Sequence, residues 1–290
     1  MSWRTVVISS SAKLDYQMGY LVVRKENTSK IHISEIGMLI VESTAVSITA
    51  ALLCELVKKK VKIIFCDEKR NPCSELLPYY GSHDTSAKIK QQINWNTDMK
   101  TAIWTEIVHE KIYQQEEHLK KRGRPEASLL ETYLSEIEFG DCTNREGHAA
   151  KVYFNALFGK DFTRTADNSL NAALNYGYGI ILSCFTREIA ANGYLTQLGL
   201  FHDNMFNQFN LASDLMEPFR PIVDHAVFEM NPGKFEQEEK IAMLRILEQE
   251  VVIGGRKEMV GNAIKLFCKS VFDALNDMDI AKIKFYRNEL

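Results

Sequence analysis

Short runs of Val, Ile, Leu and Tyr, separated by polar turn residues, characterise residues 1–76. Runs of this length that are rich in β-branched and aromatic side chains are typical of strands. An Ala- and Leu-rich segment follows Ser43 and Thr44, and either residue is a suitable helix N-cap. The pattern predicts several strands, one helix and a final strand. The strands are expected at residues 5–9, 20–24, 30–34, 38–42 and 61–66.

From residue 86 onward the hydrophobic spacing changes to that of amphipathic helices. Residues 71–72 and 78–84 have turn and linker composition, so we place the domain boundary there. We predict an α+β fold class, with a small β-rich N-terminal domain at 1–76, a linker and first helix at 77–97, and a larger all-α C-terminal domain at 98–290. Helices are predicted at residues 86–95, 98–122, 127–137, 143–158, 168–191, 211–230 (interrupted by Pro218 and Pro221), 234–250 and 257–275.

The composition is that of an ordinary globular protein, with 46% hydrophobic and 25% charged residues. Lys and Arg number 35 against 38 Asp and Glu, so binding to nucleic acid would require the positive charge to be gathered into a patch. The six cysteines include no C-x-x-C pair, which argues against a zinc site or a disulfide framework. The most apolar stretch, residues 37–57, is too polar to span a bilayer. We therefore expect a soluble, cytoplasmic protein with no membrane partner.

The first candidate site begins a predicted helix, at Asn144 to Gly147. Thr143 and Glu146 have the spacing of a capping box, in which the later carboxylate returns to the N-cap amide. Gly147 costs about 1 kcal/mol relative to Ala inside a helix, which suggests that something approaches the backbone closely at this point. Two interpretations remain open: Glu146 caps the helix, or its carboxylate is available for chemistry.

The second and third candidates lie further along the chain. His202 follows a long predicted helix, where an imidazole is a solvated residue, a cap or a ligand. Asp214 and Glu217 are three residues apart and share a helical face, which Asp224 joins if the helix resumes past the prolines. Like charges at that spacing repel each other unless a cation lies between them. The alternative is a solvated acidic face.

Glu146, His202 and Glu217 together offer two carboxylates and one imidazole from three separate segments. Such a set suits Mg²⁺ or Mn²⁺ and lacks the thiolates of structural zinc sites. A metal ion held in this way can polarise a phosphodiester and activate a hydroxyl as nucleophile.

Three blocks of sequence resemble, in order and spacing, the motifs of the CRISPR-associated integrase family, the universal enzyme of spacer acquisition. The first block is N-R-E-G at residues 144–147, continued through Leu-Phe-Gly at 157–159. The second is N-A-A-L-N-Y-G-Y at 171–178. The third is G-L-F-H at 199–202 followed by L-A-S-D-L-M-E-P-F-R-P at 211–221 and Asp224. The β-rich and helical domains also match, so the resemblance covers nearly the whole chain.

The resemblance implies a divalent-metal-dependent DNA endonuclease and integrase. In that reaction the 3′-hydroxyl of a short captured DNA attacks a phosphodiester at the edge of a CRISPR repeat. Glu146, His202 and Glu217 would be the catalytic metal ligands in the C-terminal domain. Some members have Asp as the last ligand where this chain has Glu217; Glu also occurs there, so we retain it. Asp214 would either support the ligands or be an auxiliary ligand itself, and His148 and Asn175 would orient the ligands. The auxiliary residues are thus Asp214, Asp224, His148 and Asn175.

Contacts with DNA are harder to assign from sequence. The basic residues within or near the motif blocks are the best candidates for binding phosphates. Two tyrosines could stack on a base, although both also fall at apolar helical positions. The candidate DNA-binding residues are Arg145, Lys151, Tyr153, Arg164, Tyr176, Arg187 and Arg220.

The resemblance also implies partners. In the family, the β-rich domain mediates a homodimer, and a small ferredoxin-fold adaptation protein bridges two such dimers into the complex that measures the captured DNA. The sequence resembles most the form found in type II systems, which occurs beside the RNA-guided effector nuclease. That nuclease and other adaptation proteins are therefore further expected partners.

Two alternatives to the integrase remain. A metal-dependent endonuclease would use water as the nucleophile with the same ligands. A non-catalytic DNA-binding scaffold would have Glu146 as a cap and Asp214 and Glu217 solvated.

Overall fold

The computed structural model describes residues 4–68, 70, 72–76, 82 and 84–288. The chain divides into two compact units, Met1–Gly81 and Ser82–Leu290. Part of the expected linker, residues 77–81 and 83, lies outside the described residues, as does Asn71. None of the helices that the structure describes combines the length and the apolar character that a bilayer crossing needs.

The first unit contains two four-stranded sheets and a single described helix. Its elements are β1 (Arg4–Ile8), β2 (Ala12–Gln17), β3 (Tyr20–Arg24), β4 (Thr28–His32), β5 (Ile36–Val41), β6 (Val46–Ile48), α1 (Ala50–Lys58), β7 (Lys62–Cys66) and β8 (Pro72–Glu75). One sheet has the order β1-β5-β7-β8, parallel except for β8, and the other has the order β4-β3-β2-β6. The fully buried Leu14, Ile36 and Leu52 come from the two sheets and from α1 and lie in one hydrophobic cluster. Apolar side chains of the two sheets and of α1 are therefore buried together, away from water.

The start of α1 differs from the sequence prediction. Thr49 caps this helix by accepting a hydrogen bond from the amide of Leu52, whereas Ser43 and Thr44 precede the short strand β6. Strands β2, β6 and β8 were also missed, because their sequences are short or largely polar.

The second unit is built around helices. They are α2 (Thr85–Ile93), α3 (Thr97–Lys121), α4 (Ala127–Ser135), α5 (Arg145–Phe158), α6 (Ser169–Ala191), α7 (Asn210–Met216), α8 (Arg220–Met230), α9 (Gln237–Leu244) and α10 (Val260–Asp277). Helix α6 packs against α7, α8, α9 and α10, while α3 packs against α4, α5 and α8. A 3₁₀ turn, Glu217–Phe219, separates α7 from α8 where Pro218 removes a backbone donor.

The predicted fold class is confirmed, but the second unit is mostly rather than entirely helical. Three strands, β9 (Glu250–Ile253), β10 (Arg256–Met259) and β11 (Tyr286–Arg287), form a small antiparallel sheet. Gly254 and Gly255, with φ of 58° and 75°, make the two-residue turn between β9 and β10. Positive φ at both turn residues is the signature of a tight hairpin. The helix expected at residues 234–250 is shorter than predicted, since α9 ends at Leu244 and a 3₁₀ turn, Arg245–Glu248, precedes β9.

We predict opposite effects for two glycines of α6. An alanine Cβ at Gly177 would lie 2.5 Å from Val223 Cγ1 on α8 and 2.6 Å from Met243 Cε on α9, whereas at Gly179 it would meet nothing within 4 Å. Gly177→Ala should lower the free energy of unfolding by about 1–2 kcal/mol, because overpacking outweighs the gain in helix propensity. Gly179→Ala should raise it by up to about 1 kcal/mol. Urea denaturation measures both changes, and equal effects of the two variants would contradict this packing.

Candidate active site

Two of the three predicted ligands meet on a single buried cation. Glu146 lies in the first turn of α5 and Glu217 at the junction of α7 and α8. The ammonium of Lys111, on α3, donates to Glu146 Oε1 and, at 2.5 Å, to Glu217 Oε2. Burial disfavours a charged Lys111, but the attraction of Glu217 and Glu146 outweighs it and raises the pKa of Lys111 above its ordinary value. Each of the two carboxylates therefore forms an ion pair with the same ammonium, which holds them together.

The first turn of α5 shows why the Glu146 carboxylate is available. Asn144 is the N-cap, and its side chain accepts a hydrogen bond from the amide of Gly147. Asp141 accepts from the amides of Arg145 at 2.7 Å and Glu146 at 3.1 Å. The capping box expected between Thr143 and Glu146 is therefore wrong, because other residues satisfy these amides.

The glycine at position 147 has the close neighbour that its helical position suggested. A Cβ there would lie 2.8 Å from Oδ1 of the capping Asn144. Because Gly147 has no side chain, the Asn144 side chain can come close enough to accept a hydrogen bond from the Gly147 amide.

Glu217 is buried rather than solvated, so an exposed acidic face is excluded at this position. Arg220 Nε donates to Glu217 Oε1 at 2.8 Å, while Lys111 occupies Oε2. Burial alone would raise the pKa of Glu217, but Arg220 and Lys111 outweigh it and lower the pKa to about 2. Glu217 is accordingly a carboxylate at any physiological pH.

His202 is oriented by Asp214. The ring donates from Nδ1 to Asp214 Oδ1 at 2.5 Å, and the same buried carboxylate accepts from the backbone amides of Leu200, Phe201 and His202. Among the described residues no hydrogen bond reaches His202 Nε2, so this nitrogen is left for a ligand. The hydrogen bond with Asp214 raises the pKa of His202, and the charges of Glu217 and Glu146 act in the same direction.

Asp224 is a further acidic group of the site. It is fully buried on α8 and accepts a hydrogen bond from the hydroxyl of Tyr178 on α6. Burial raises the pKa of Asp224 to about 7, despite the hydrogen bond from Tyr178 and the positive charge of Arg220. The Asp224 carboxyl therefore gains and loses its proton near neutral pH.

A cleft opens beside the carboxylates. Arg164 and Arg220 line it together with Lys111, Glu146, Glu217, Asp224, Gln115, Phe154 and Tyr178. Arg164 is fixed by Asn171 Oδ1 at 2.6 Å and Asn175 Oδ1 at 2.7 Å. Asn175, expected to orient a ligand, thus orients a cation that faces the cleft. The two guanidiniums give the cleft the charge that a phosphate requires.

The structure does not bring the other candidate DNA contacts into this cleft. Arg145 pairs with Glu136 at 3.1 Å, and Arg187 with its neighbour Glu188 at 3.6 Å. Lys151 is exposed on α5. His148 is also exposed, with its ring against Tyr133 rather than oriented toward a ligand.

The stacking role expected for two tyrosines is wrong. Tyr153 has no exposed surface, and its hydroxyl is 2.7 Å from His118 Nδ1. Tyr176 is 3% exposed and packs against the Phe235 ring. Neither ring presents a face on which a base could stack, so both are core residues.

The donors fit a hard divalent cation. Two carboxylates converge on one cation, and an imidazole whose charge couples to both lies nearby, which is the donor set that Mg²⁺ or Mn²⁺ accepts. Across the described residues, however, no group of three or more His, Cys, Asp or Glu side chains is arranged to hold a metal ion. Lys111 lies between Glu146 and Glu217 instead.

Lys111 and Asp141 are the site residues that the sequence prediction missed. The buried stripe of α3 runs Trp104, Val108, Lys111, Gln115 and His118, with helical spacing throughout. The sequence feature that could have identified Lys111 is the change from apolar to polar residues along this stripe. A polar residue at a core position has a buried partner, and here the partner is the carboxylate pair.

We predict that Asp224 makes stability fall as pH rises from about 4 to about 7. Between its ordinary pKa of 3.8 and about 7, the folded state keeps a proton that the unfolded state has released, so the unfolding free energy decreases with increasing pH. Asp224→Asn removes this loss. Its melting temperature relative to wild type should therefore be higher at pH 8 than at pH 5, measured by calorimetry in EDTA.

The exposed Asp273 provides the matched control for that experiment. Asp273→Asn should shift the melting temperature equally at both pH values. A melting temperature of Asp224→Asn, relative to wild type, that is the same or lower at pH 8 than at pH 5 would contradict a buried, protonated Asp224.

Comparison with known proteins places these residues in a family. Residues 5–246 match the family described as CRISPR associated protein Cas1. The chain is 38% identical over 232 residues to the CRISPR-associated endonuclease Cas1 of Neisseria meningitidis serogroup C (strain 8013), covering 79% of this chain and 76% of that protein.

Two solved structures share the fold at low sequence identity. A casposase bound to integration product matches with a TM-score of 0.78 and 18% identity over 95% of this chain and 91% of that one. A Cas6-RT-Cas1–Cas2 complex matches with a TM-score of 0.73 and 16% identity over 97% of this chain and 36% of the longer one. The family match, the 38% identical relative and the shared fold show that this chain belongs to the Cas1 family of CRISPR-associated endonucleases and integrases.

Proposed function

We propose that this chain is a divalent-metal-dependent DNA integrase that inserts short captured DNA into a CRISPR array in antiviral defence. The observation that carries the proposal is the convergence of Glu146 and Glu217 on one cation, beside His202 and a cleft lined by Arg164 and Arg220. A buried and a half-buried carboxylate that meet at a cation, next to guanidiniums that line a cleft, suit a phosphodiester substrate. Family membership supports the same conclusion.

Glu146, His202 and Glu217 would hold Mg²⁺ or Mn²⁺. Such an ion, when bound, polarises the scissile phosphodiester and activates the attacking hydroxyl. Asp214 keeps the His202 ring in place through Nδ1, and Nε2 is the ring nitrogen that would bind the metal ion. Arg164 and Arg220 bind phosphate oxygens, and Arg220 also fixes the Glu217 carboxylate. The nucleophile comes from the substrate, so positioning and charge are the contributions required of the protein.

An endonuclease that uses water would need the same residues, and dependence on a free DNA 3′-hydroxyl separates the two reactions. The scaffold alternative required Glu146 to be a cap and Asp214 and Glu217 to be solvated. In the structure Glu146 contacts Lys111, and the other two carboxylates are buried. We therefore favour catalysis.

We further propose that the chain acts as a homodimer within a larger assembly. The β2–β3 hairpin exposes Tyr16, Met18 and Tyr20, a surface suited to protein contact in the first unit. One structural neighbour is a Cas6-RT-Cas1–Cas2 complex, which supports a small ferredoxin-fold adaptation partner of the Cas2 kind. Assignment to a type II system, with contacts to its effector nuclease, stays a prediction.

The decisive experiment is a strand-transfer assay. A labelled short duplex is incubated with a repeat-bearing plasmid, Mn²⁺ or Mg²⁺ and the partner protein. We expect Glu146→Gln, His202→Ala and Glu217→Gln each to reduce joining of label to plasmid by roughly two orders of magnitude or more, because each removes a metal ligand. Circular dichroism checks that the variants fold.

Two controls define the outcomes. The exposed Glu131 on α4 gives a matched variant, Glu131→Gln, that should join DNA as wild type does. A 3′-deoxy duplex should abolish joining by the wild-type protein. Cutting without joining would favour the endonuclease, and DNA binding with neither reaction would favour the scaffold.

A further inference from the structure

Lys111 occupies the place between the two carboxylates that a metal ion would need. It lies on α3, is 6% exposed, and contacts Glu146 and Glu217, which come from different parts of the second unit. With Arg220 against the other oxygen of Glu217, two cations balance two anions. The pair is therefore electrically neutral before any metal ion arrives.

Neither carboxylate needs Lys111 for a local structural purpose. The amides at the start of α5 are satisfied by Asp141 and Asn144. Glu217 has a second partner in Arg220. Lys111 instead offsets the repulsion between two neighbouring carboxylates, of which Glu217 is buried and Glu146 is half-buried.

A divalent cation and an ammonium cannot share that place. Each would repel the other at short range in a medium of low dielectric constant, and both would compete for the same oxygen atoms. The flexible four-carbon stem of Lys111 can carry the ammonium away, and Lys111 lines the open cleft together with Gln115, Arg164 and Tyr178. In that cleft a displaced ammonium is positioned to meet a DNA phosphate.

We propose that Lys111 is the resident counter-ion of the Glu146–Glu217 pair and that it competes with the divalent cation for this pair. The inference rests on the proposed metal-dependent function and deepens it. Lys111 is a positioning residue: it keeps the ligands of the metal-free protein together, and the incoming ion displaces it into the cleft.

The test is the affinity for Mn²⁺, measured by the loss of the free-ion signal in electron paramagnetic resonance. Lys111→Met should bind Mn²⁺ at least tenfold more tightly than wild type, because no cation has to be displaced. Lys111→Arg should bind it no more tightly than wild type, since the guanidinium holds carboxylates bidentately. Affinity of Lys111→Met equal to or weaker than wild type would overturn the proposal.

Two further variants separate this inference from the proposed function. Lys62→Met removes another buried lysine, whose ammonium lies 2.9 Å from Glu75 in the first unit, and should leave Mn²⁺ affinity unchanged. Glu217→Gln should abolish binding. If Glu217→Gln binds Mn²⁺ as wild type does, the metal site itself is wrong. If Glu217→Gln loses binding but Lys111→Met binds as wild type does, the competition is wrong and the metal site stands.

A measurement on the wild-type protein covers the case in which Lys111→Met does not fold. Acetylation by an amine-reactive ester, read by mass spectrometry, should be slow at Lys111 without metal and several-fold faster with saturating Mn²⁺. Acetylation at Lys62 should not change. Reactivity of Lys111 that is unaffected or lowered by Mn²⁺ would overturn the displacement.

Discussion

Two carboxylates that lie close together, the buried Glu217 and the half-buried Glu146, need a cation between them, and the second unit of this protein is organised around that requirement. The ammonium of Lys111 meets Glu146 and Glu217, and so joins α3 to α5 and to the α7–α8 junction. Removing one partner of such a buried ion pair typically costs about 3–5 kcal/mol, because the remaining charge is left uncompensated. Apolar packing of α3 against α5 and α8 brings the helices together, while the charges fix which side chains face each other.

Polar residues around the site satisfy the local backbone amides, so the proposed metal ligands are not used to cap helices or loops. Asp141 and Asn144 satisfy the first amides of α5, so the carboxylate of Glu146 is not used as a cap. Asp214 accepts hydrogen bonds from three backbone amides and from the His202 ring, and it therefore fixes the positions of both the loop and the imidazole. Preorganisation of this kind keeps ligands in position before substrate arrives, which is what an active site requires of its supporting residues.

The hydrophobic period predicted the division into a strand-rich and a helical part, because the spacing of apolar residues reflects the geometry of the elements that bury them. It failed at the sheet formed by β9, β10 and β11, where the strands are short and the Gly254-Gly255 turn was outweighed by neighbouring helical patterns. Local rules also misassigned the capping residues of α1 and α5. Several residues were acceptable caps there, and the path of the chain decides which one is used.

The two-part architecture can be predicted from the linear sequence, and its three motif blocks indicate the family and point to Glu146, His202 and Glu217. Those blocks are linear, and their order and spacing can be read directly. The contact of Lys111 with the two carboxylates becomes visible only in the folded protein, since Lys111 lies 35 residues from Glu146 and 106 from Glu217 along the chain. The tertiary structure likewise shows that Tyr153 and Tyr176 are buried and that Arg164 and Arg220 face the cleft. Burial and long-range ion pairing depend on which helices pack together, and local periodicity does not specify that arrangement.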